Sequence, residues 1–336
     1  MNTELQKLPI GIQSFEDLRS KGYAYVDKTA LIYEMVTRGK PYFLSRPRRF
    51  GKSLLISTLE AYFQGKKELF RGLAIEQLEK DWFEYPVLHL DLNAEKFVSP
   101  ESLSFILIRH LNIWEDRWGR DEREKTLADR FQGLIRRAYE KTGKQVVVLI
   151  DEYDKPLLQA LGDDVLLETF QSTLKGFYGV LKSADPYLQF VLLTGVTKFA
   201  HVSVFSDLNQ LNDISMARQY ATLCGLTKGE LTANFTNEIA SLGDANDLTF
   251  EETIDTLTKK YDGYHFHPVA EGVFNPFSVL NVLVKQDFSN YWFQTGTPTF
   301  LIQLLKKSNY DLRRIIEGVE LRASAFSEYR VEANNP

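Results

Sequence analysis

One apolar, β-branched segment near the middle of the chain constrains the fold more than any other feature. It covers residues 145–150 as QVVVLI and ends directly at Asp151 and Glu152. After its first residue it is fully apolar, which is typical of a central strand covered on both faces of a parallel sheet. Shorter apolar segments that alternate with helical patterns are residues 42–45, 87–91 and 190–194. This alternation predicts an α/β fold with a parallel sheet and right-handed crossovers.

Helical periodicity dominates the sequence after about residue 225, where strand signals fade. We therefore predict two domains, an α/β core over residues 1–220 and a smaller helical domain over 221–330. The polar residues 331–336 are typical of a linker or chain end. The predicted helices are residues 28–38, 54–65, 101–117, 123–141, 163–184, 227–241, 249–260, 276–286, 299–307 and 311–317.

The segment SRPRRFGKS lies where the strand at 42–45 gives way to a helix. A helix N-terminus presents unpaired N–H groups and partial positive charge, which together bind phosphate oxygens. Lys52 would contact the β- and γ-phosphates of a nucleotide, Ser53 would bind Mg²⁺, and Gly51 would allow close backbone approach. The sequence thus predicts a P-loop, with these nucleotide-binding residues: Arg46, Arg48, Arg49, Phe50, Gly51, Lys52, Ser53 and Leu54.

This loop departs from the strict pattern G-x-x-x-x-G-K-[ST]. Arg46 occupies the position of the first glycine, and Pro47 follows it. The guanidinium groups of Arg48 and Arg49 suit phosphate oxygens and partly compensate for the missing glycine. The alternative is that the G-K-S tripeptide only begins a helix and that the arginines are solvated.

An acidic pair follows the central strand. In P-loop enzymes an Asp at this strand end orients the Mg²⁺ shell, which predicts a metal role for Asp151. The carboxylate of Glu152 would polarise the attacking water as general base. Neighbouring strand residues point to opposite faces, so the chain must turn at Glu152 for both to serve one site. The alternative is that the two acids only end the strand and begin the next helix.

The strand at 190–194 ends with a polar residue, Thr194. In additional-strand P-loop ATPases, a polar residue at this point senses the γ-phosphate, so Thr194 is a candidate catalytic sensor beside Lys52 and Glu152. The alternative is a strand-end threonine that bonds the backbone. Lys198 would reach the phosphates or a neighbouring subunit, or would be an ordinary surface lysine.

Composition restricts the partners. The chain has 336 residues and a formal net charge of −5, so no global positive field attracts nucleic acid. The single cysteine, Cys224, excludes an intrachain disulfide and a cysteine-rich zinc site. No apolar segment reaches the length of a membrane-spanning helix. We expect a cytoplasmic protein without a membrane partner.

Several motifs together resemble the bacterial AAA-ATPase-like family, over about residues 8–330. They are RPRRFGKS, IDEYDKP, LLTGVTKF, VSVFSDLNQLNDIS, YDGYHF and FNPFSVLN. The resemblance implies a three-layer α/β/α P-loop NTPase followed by a helical domain, with Mg²⁺-dependent ATP hydrolysis. An arginine in place of the first glycine is typical of this family. By the same resemblance, residues 25–28 (YVDK) lie at the adenine end of the pocket.

Members of this family typically carry a C-terminal PD-(D/E)XK nuclease-like domain. No glutamate of this chain is followed two positions later by lysine, so we expect no nuclease activity from these residues. The chain ends about where the second domain would begin, which suggests a truncated or naturally short member. We expect nucleic acid as a partner only through the missing domain, and a second copy of the chain as a further candidate partner. The alternative function is a nucleotide-binding regulatory module with little turnover.

Overall fold

The computed structural model describes residues 5–198, 204–205 and 210–291. In this part of the chain, five parallel strands form one sheet in the order β2-β3-β4-β1-β5. The strands are β1 (Tyr42–Ser45), β2 (Val87–Asp91), β3 (Val146–Asp151), β4 (Leu188–Gly195) and β5 (Asn212–Asp213). The predicted α/β fold with a parallel sheet is therefore confirmed.

Helices follow or precede each of the longer strands. Within the described ranges they are α1 (Phe15–Ser20), α2 (Thr29–Arg38), α3 (Lys52–Phe63), α4 (Ile75–Leu78), α5 (Pro100–Trp118), α6 (Leu127–Thr142), α7 (Lys155–Gln159), α8 (Asp164–Ser183), α9 (Lys228–Asn234), α10 (Thr236–Ala245), α11 (Phe250–Tyr261) and α12 (Pro276–Lys285). The helices predicted at 299–307 and 311–317 lie outside the described residues. No helix in the described ranges has the length and apolarity needed to cross a membrane.

The side chains of β3 alternate between two apolar clusters. Val147 and Leu149 lie in one cluster with residues of α2 and α3. Val146, Val148 and Ile150 lie in the other, with residues of α5, α6 and α8. Because helices cover both faces of the sheet, every residue of β3 is buried. This explains why the segment is apolar throughout rather than alternating.

The position of β4 between β1 and β3 determines where the site forms. Leu44 pairs with Thr194, and Ile150 pairs with Leu193, all in parallel register. The carboxyl ends of parallel strands meet at one edge of the sheet, which is where ligands bind in open α/β sheets. The loop after β1 and the acidic pair after β3 therefore flank the end of β4.

The helices after residue 225 form a third apolar cluster, separate from the two that cover the sheet. The predicted helix 227–241 is in fact two helices, α9 and α10, with Phe235 between them in a non-helical conformation. Residues near the N-terminus, Leu8 and Val26 among them, also pack against this cluster. The division into domains at residue 220 stays a prediction.

Candidate functional site

The loop between β1 and α3 has the backbone shape of an anion site. Arg49 and Gly51 have φ angles of 68° and 92°, so the chain enters the left-handed region twice within three residues. The first intrahelical bond of α3 joins the N–H of Leu55 to the carbonyl of Gly51. The N–H groups of residues 52–54 come before this bond in the chain, so they have no acceptor within the helix. Unpaired N–H groups at the start of a helix favour phosphate.

The ammonium group of Lys52 lies between this loop and the acidic turn after β3. Its Nζ donates to the carbonyls of Arg46 at 3.0 Å and Pro47 at 3.2 Å. It also lies 3.9 Å from Oε1 of Glu152, although the side chain of Lys52 is only 3% exposed. The predicted lysine and the predicted general base therefore share one site.

Two hydroxyl groups donate to the carboxylate of Asp151. The Ser53 hydroxyl lies 2.5 Å from Oδ2, and the Thr194 hydroxyl lies 2.6 Å from Oδ1. Thr194 is fully buried, so its hydroxyl orients Asp151 rather than facing an open cleft. The sequence left open whether Thr194 senses phosphate or bonds the backbone. In the structure, the shortest hydrogen bond of the Thr194 hydroxyl is to the Asp151 carboxylate.

These oxygen atoms suit Mg²⁺, which prefers hard oxygen ligands. The hydroxyl of Ser53 and the carboxylate of Asp151 already lie side by side. Among the described residues, no group of three His, Cys, Asp or Glu side chains could hold a metal alone. Mg²⁺ in phosphoryl-transfer sites commonly has only one or two carboxylate ligands plus phosphate oxygens and water, so this donor set fits.

The chain turns at Glu152, as the sequence requires if both acids are to face one site. Its φ is 54°, a left-handed conformation that costs about 1–3 kcal/mol for a residue with a side chain. Its backbone N–H contacts the Thr194 hydroxyl at 3.4 Å. Burial raises the pKa of Glu152, and the charges of Lys52 and Arg48 oppose this rise.

A third acid in the same motif, Asp154, holds the acidic turn against the end of β4. It is fully buried and accepts bonds from the N–H of Val196, the N–H of Thr197 and the Thr197 hydroxyl. A Cβ at Gly195 would lie 2.4 Å from the ring of Tyr153 and 2.8 Å from Asp154, so only glycine fits there. Sequence reasoning missed Asp154, although its place in DEYD was the available signal.

Replacing Asp154 with Ala should lower the free energy of unfolding by about 3 kcal/mol, because three partly buried donors would lose their acceptor. Chemical denaturation would measure the change. Asp163→Ala is the matched control, since Asp163 accepts from the N–H of Leu166 but is exposed at the start of α8. That variant should lose only about 1 kcal/mol. Equal losses in the two variants would contradict this account of Asp154.

The guanidinium of Arg46 points away from the surface that is predicted to bind phosphate. It is 1% exposed and donates to the carbonyls of Ser45, Ser215 and Tyr220. Burial lowers its pKa to about 10. Only the main chain of Arg46 lies in the loop, so a phosphate contact from its side chain, as expected from the sequence, requires a different conformation.

The other predicted loop residues differ in their surroundings. Arg48 and Arg49 are exposed, and the Arg49 guanidinium lies 4.9 Å from the centre of the Phe277 ring. Phe50 is 1% exposed, so its side chain belongs to the core. Lys198 is paired with Asp213 at 2.7 Å. Arg48 is therefore the loop arginine that is both exposed and close enough for its charge to lower the pKa of Glu152.

An apolar pocket adjoins the start of α3. Gly51 and Leu54 form the wall on the loop side, and Tyr25 and Val26 form another. Leu280 and neighbouring residues from the third apolar cluster complete it. The segment at 25–28, which the resemblance placed at the adenine end of the site, lies directly beside the loop that is predicted to bind phosphate.

The five-stranded parallel sheet, flanked by helices and with β4 between β1 and β3, has the architecture of a P-loop NTPase-like α/β fold. Residues 9–205 match the model of a family described as Predicted AAA-ATPase. The chain belongs to this AAA-ATPase-like family, as its motifs predicted. The family description indicates ATP binding.

A curated relative is an uncharacterized protein in the vnfD 5′ region of Azotobacter chroococcum mcd 1. It is 40% identical over 302 residues, which cover 89% of this chain and 56% of the relative. The chain therefore spans a little more than half the length of the relative it matches. The nuclease-like domain implied by the resemblance stays a prediction.

Proposed function

We propose that this chain binds Mg-ATP and hydrolyses it. One observation carries the proposal: an ammonium, a hydroxyl and two carboxylates from two separate strand ends converge on one site. Lys52 and Glu152 approach to 3.9 Å, and Ser53 and Asp151 approach to 2.5 Å. In P-loop NTPases these four groups hold a triphosphate with its metal and activate water. The family's description supports the same reading.

Each group has a defined task in this proposal. Lys52 offsets the negative charge on the β- and γ-phosphates, together with the N–H groups at the start of α3. Ser53 and Asp151 would hold Mg²⁺, which neutralises phosphate charge when bound. Glu152 would accept the proton of the attacking water. Thr194 keeps the Asp151 carboxylate in place through its 2.6 Å bond.

The apolar pocket is the proposed base-binding region. Tyr25 and Val26 on one side and Leu226 and Leu280 on the other offer apolar contact area for a purine. The Nζ of Lys28, at the pocket wall, is bonded to Glu230 at 2.5 Å, so its charge is already paired. Adenine recognition would then rest on apolar contacts and main-chain groups.

Two measurements on the purified chain would test the proposal. Calorimetry should show Mg²⁺-dependent binding of ATP, and a phosphate-release assay should show turnover that chelation of Mg²⁺ removes. Tight binding with negligible phosphate release would instead support the second candidate, a nucleotide-binding regulatory module. The ionisable Glu152 beside Lys52 favours turnover. Cytoplasmic location, oligomeric state and a nucleic-acid partner stay predictions.

Turnover should fall as the pH is lowered, and the fall should begin at a higher pH than an ordinary glutamate would give. Burial raises the pKa of Glu152, and only its ionised form can accept a proton from water. The pH dependence of kcat/KM, which reports the free enzyme, between about pH 4 and 8 would show the limb against the usual glutamate pKa of about 4.3. Binding of a non-hydrolysable ATP analogue over the same range is the control. A limb at the ordinary glutamate value would contradict the assignment of Glu152 as base.

A further inference from the structure

The residue that replaces the usual first glycine of the loop has a structural role that reaches across the molecule. The buried guanidinium of Arg46 lies 3.9 Å from the centre of the Phe266 ring, in addition to its three carbonyl contacts. Its backbone N–H donates to the carbonyl of Gly195 at 3.0 Å, and its own carbonyl accepts from Lys52. Displacement of Arg46 would therefore displace an acceptor of the Lys52 ammonium.

The other end of the loop rests on the same aromatic residues. The ring of Phe50 lies 4.7 Å from that of Tyr264 and 5.5 Å from that of Phe266, both in edge-to-face geometry. Phe50 directly precedes Gly51, the N-cap residue of α3. Tyr264 and Phe266, which we term the aromatic support, thus contact the loop at both of its ends.

The aromatic support comes from the part of the chain that follows the sheet. The N–H of Val273 donates to the carbonyl of Tyr264, and Phe274 and Leu226 exchange two backbone bonds. The N–H of Gly225 donates to the carbonyl of Phe50 at 3.2 Å. The segment that carries the aromatic support is therefore hydrogen-bonded to residues 225–226, just before α9. Gly225 of this stretch is in turn hydrogen-bonded to the loop at Phe50.

We propose that the aromatic support positions the phosphate-binding loop and replaces the backbone turn that a first glycine would provide. Tyr264 and Phe266 are positioning residues, because they act on the loop through their contacts with Arg46 and Phe50. This proposal rests on the proposed function and adds its regulation: a shift of the segment after residue 225 would change the affinity for phosphate. The YDGYHF motif at residues 261–266, which contains both rings, thereby gains a specific positioning role.

The test compares two variants of Phe266, the ring that contacts both ends of the loop, with one control variant elsewhere. Phe266→Ala should weaken Mg-ATP binding about tenfold, since it removes a cation–π contact and an aromatic pair. Phe266→Tyr keeps the ring and should restore the affinity. Phe288→Ala is the matched control, because Phe288 is also partly buried and lies 5.6 Å from a cation, Lys260. Calorimetry gives the dissociation constants, and thermal unfolding gives Tm.

Hydrogen exchange of the amides of residues 48–53 without nucleotide provides a readout that does not depend on ATP. Exchange should be faster in Phe266→Ala than in Phe288→Ala. If the wild-type chain binds no Mg-ATP, the proposed function fails, whereas the exchange rates still test the aromatic support. Unchanged affinity and unchanged loop exchange in Phe266→Ala would overturn the proposal, whatever its Tm.

Arg46→Gly gives a second, opposite test because it restores the strict P-loop pattern. If Arg46 were only a tolerated substitute for glycine, this variant would bind Mg-ATP as well as the wild type or better. The contacts of Arg46 predict weaker binding, by about tenfold or more. Arg46→Lys, which keeps the charge but not the three-carbonyl geometry, should also lose affinity. Full affinity in Arg46→Gly would overturn the proposal.

Discussion

Replacing Glu152 with Gln should reduce the rate of ATP hydrolysis by about 10²–10⁴-fold while the affinity for Mg-ATP is retained. Glutamine has nearly the same size and keeps a polar oxygen, but it cannot accept a proton from water. Lys52, Ser53 and Asp151, the groups proposed to hold the nucleotide, stay in place. Single-turnover phosphate release would measure the chemical step, and calorimetry would measure binding. Turnover at the wild-type rate would remove Glu152 as the general base.

The same variant should be more stable than the wild type at neutral pH. Because burial raises the pKa of Glu152, the folded protein holds this proton more tightly than the unfolded chain does. Stability therefore decreases as pH rises through the raised pKa, and the loss is complete above it. Glu152→Gln removes the buried charge, so its Tm should exceed that of the wild type at pH 7 and converge with it in acid. Glu168→Gln, at an exposed position of α8, should show no such gain.

The sequence predicted those elements whose stability depends on apolar burial. The segment predicted at 145–150, apolar after Gln145, forms the most buried strand of the sheet at Val146–Asp151, and the segments at 42–45 and 87–91 have the predicted bounds. The turn at Glu152 was also predictable, because alternating strand side chains cannot otherwise bring both acids to one site. These features follow from local pattern and simple geometry.

The features that the sequence did not predict depend on contacts between distant residues. The strand β5 consists of two exposed polar residues, Asn212 and Asp213, and no hydrophobic pattern marks it. It is defined by backbone bonds to the segment around β1, such as that from Ile214 to Phe43. Phe235 interrupts a helix whose apolar periodicity continues on both sides. Such positions are decided by tertiary packing, which overrides local propensity.

The site shows the same distinction between local pattern and tertiary contact. Motif spacing identified Lys52, Ser53, Asp151 and Glu152, and these four residues do lie together. The destination of the Arg46 side chain was not predictable, since its partners lie about 170 to 220 positions later in the chain. A loop arginine beside a phosphate site is ordinarily expected to bind phosphate. In this protein, contacts with distant residues bury the Arg46 side chain and keep it away from the predicted phosphate site.

Replacing Lys52 with Ala should abolish detectable turnover. It should also weaken Mg-ATP binding by about 10²-fold or more, as loss of one partner of a buried charge contact typically does. The ammonium is held by two carbonyl oxygens of the loop, so it is positioned before nucleotide arrives. Glu152 would also lose one of the two cations, Lys52 and Arg48, that oppose the rise of its pKa. Calorimetry and phosphate release would measure the two effects separately.

Lys40 offers the matched control for Lys52. It precedes β1 as Lys52 follows it, is also partly protected from solvent, and donates to the carbonyl of Asp185 at 2.8 Å. Because it lies at the amino end of the strand, Lys40→Ala should keep both binding and turnover. If the Lys52 and Lys40 variants hydrolysed ATP equally well, the P-loop lysine would have no part in the reaction and the ATPase proposal would fail. A selective loss at Lys52 would tie the activity to the carboxyl edge of the sheet, where the acidic pair stands.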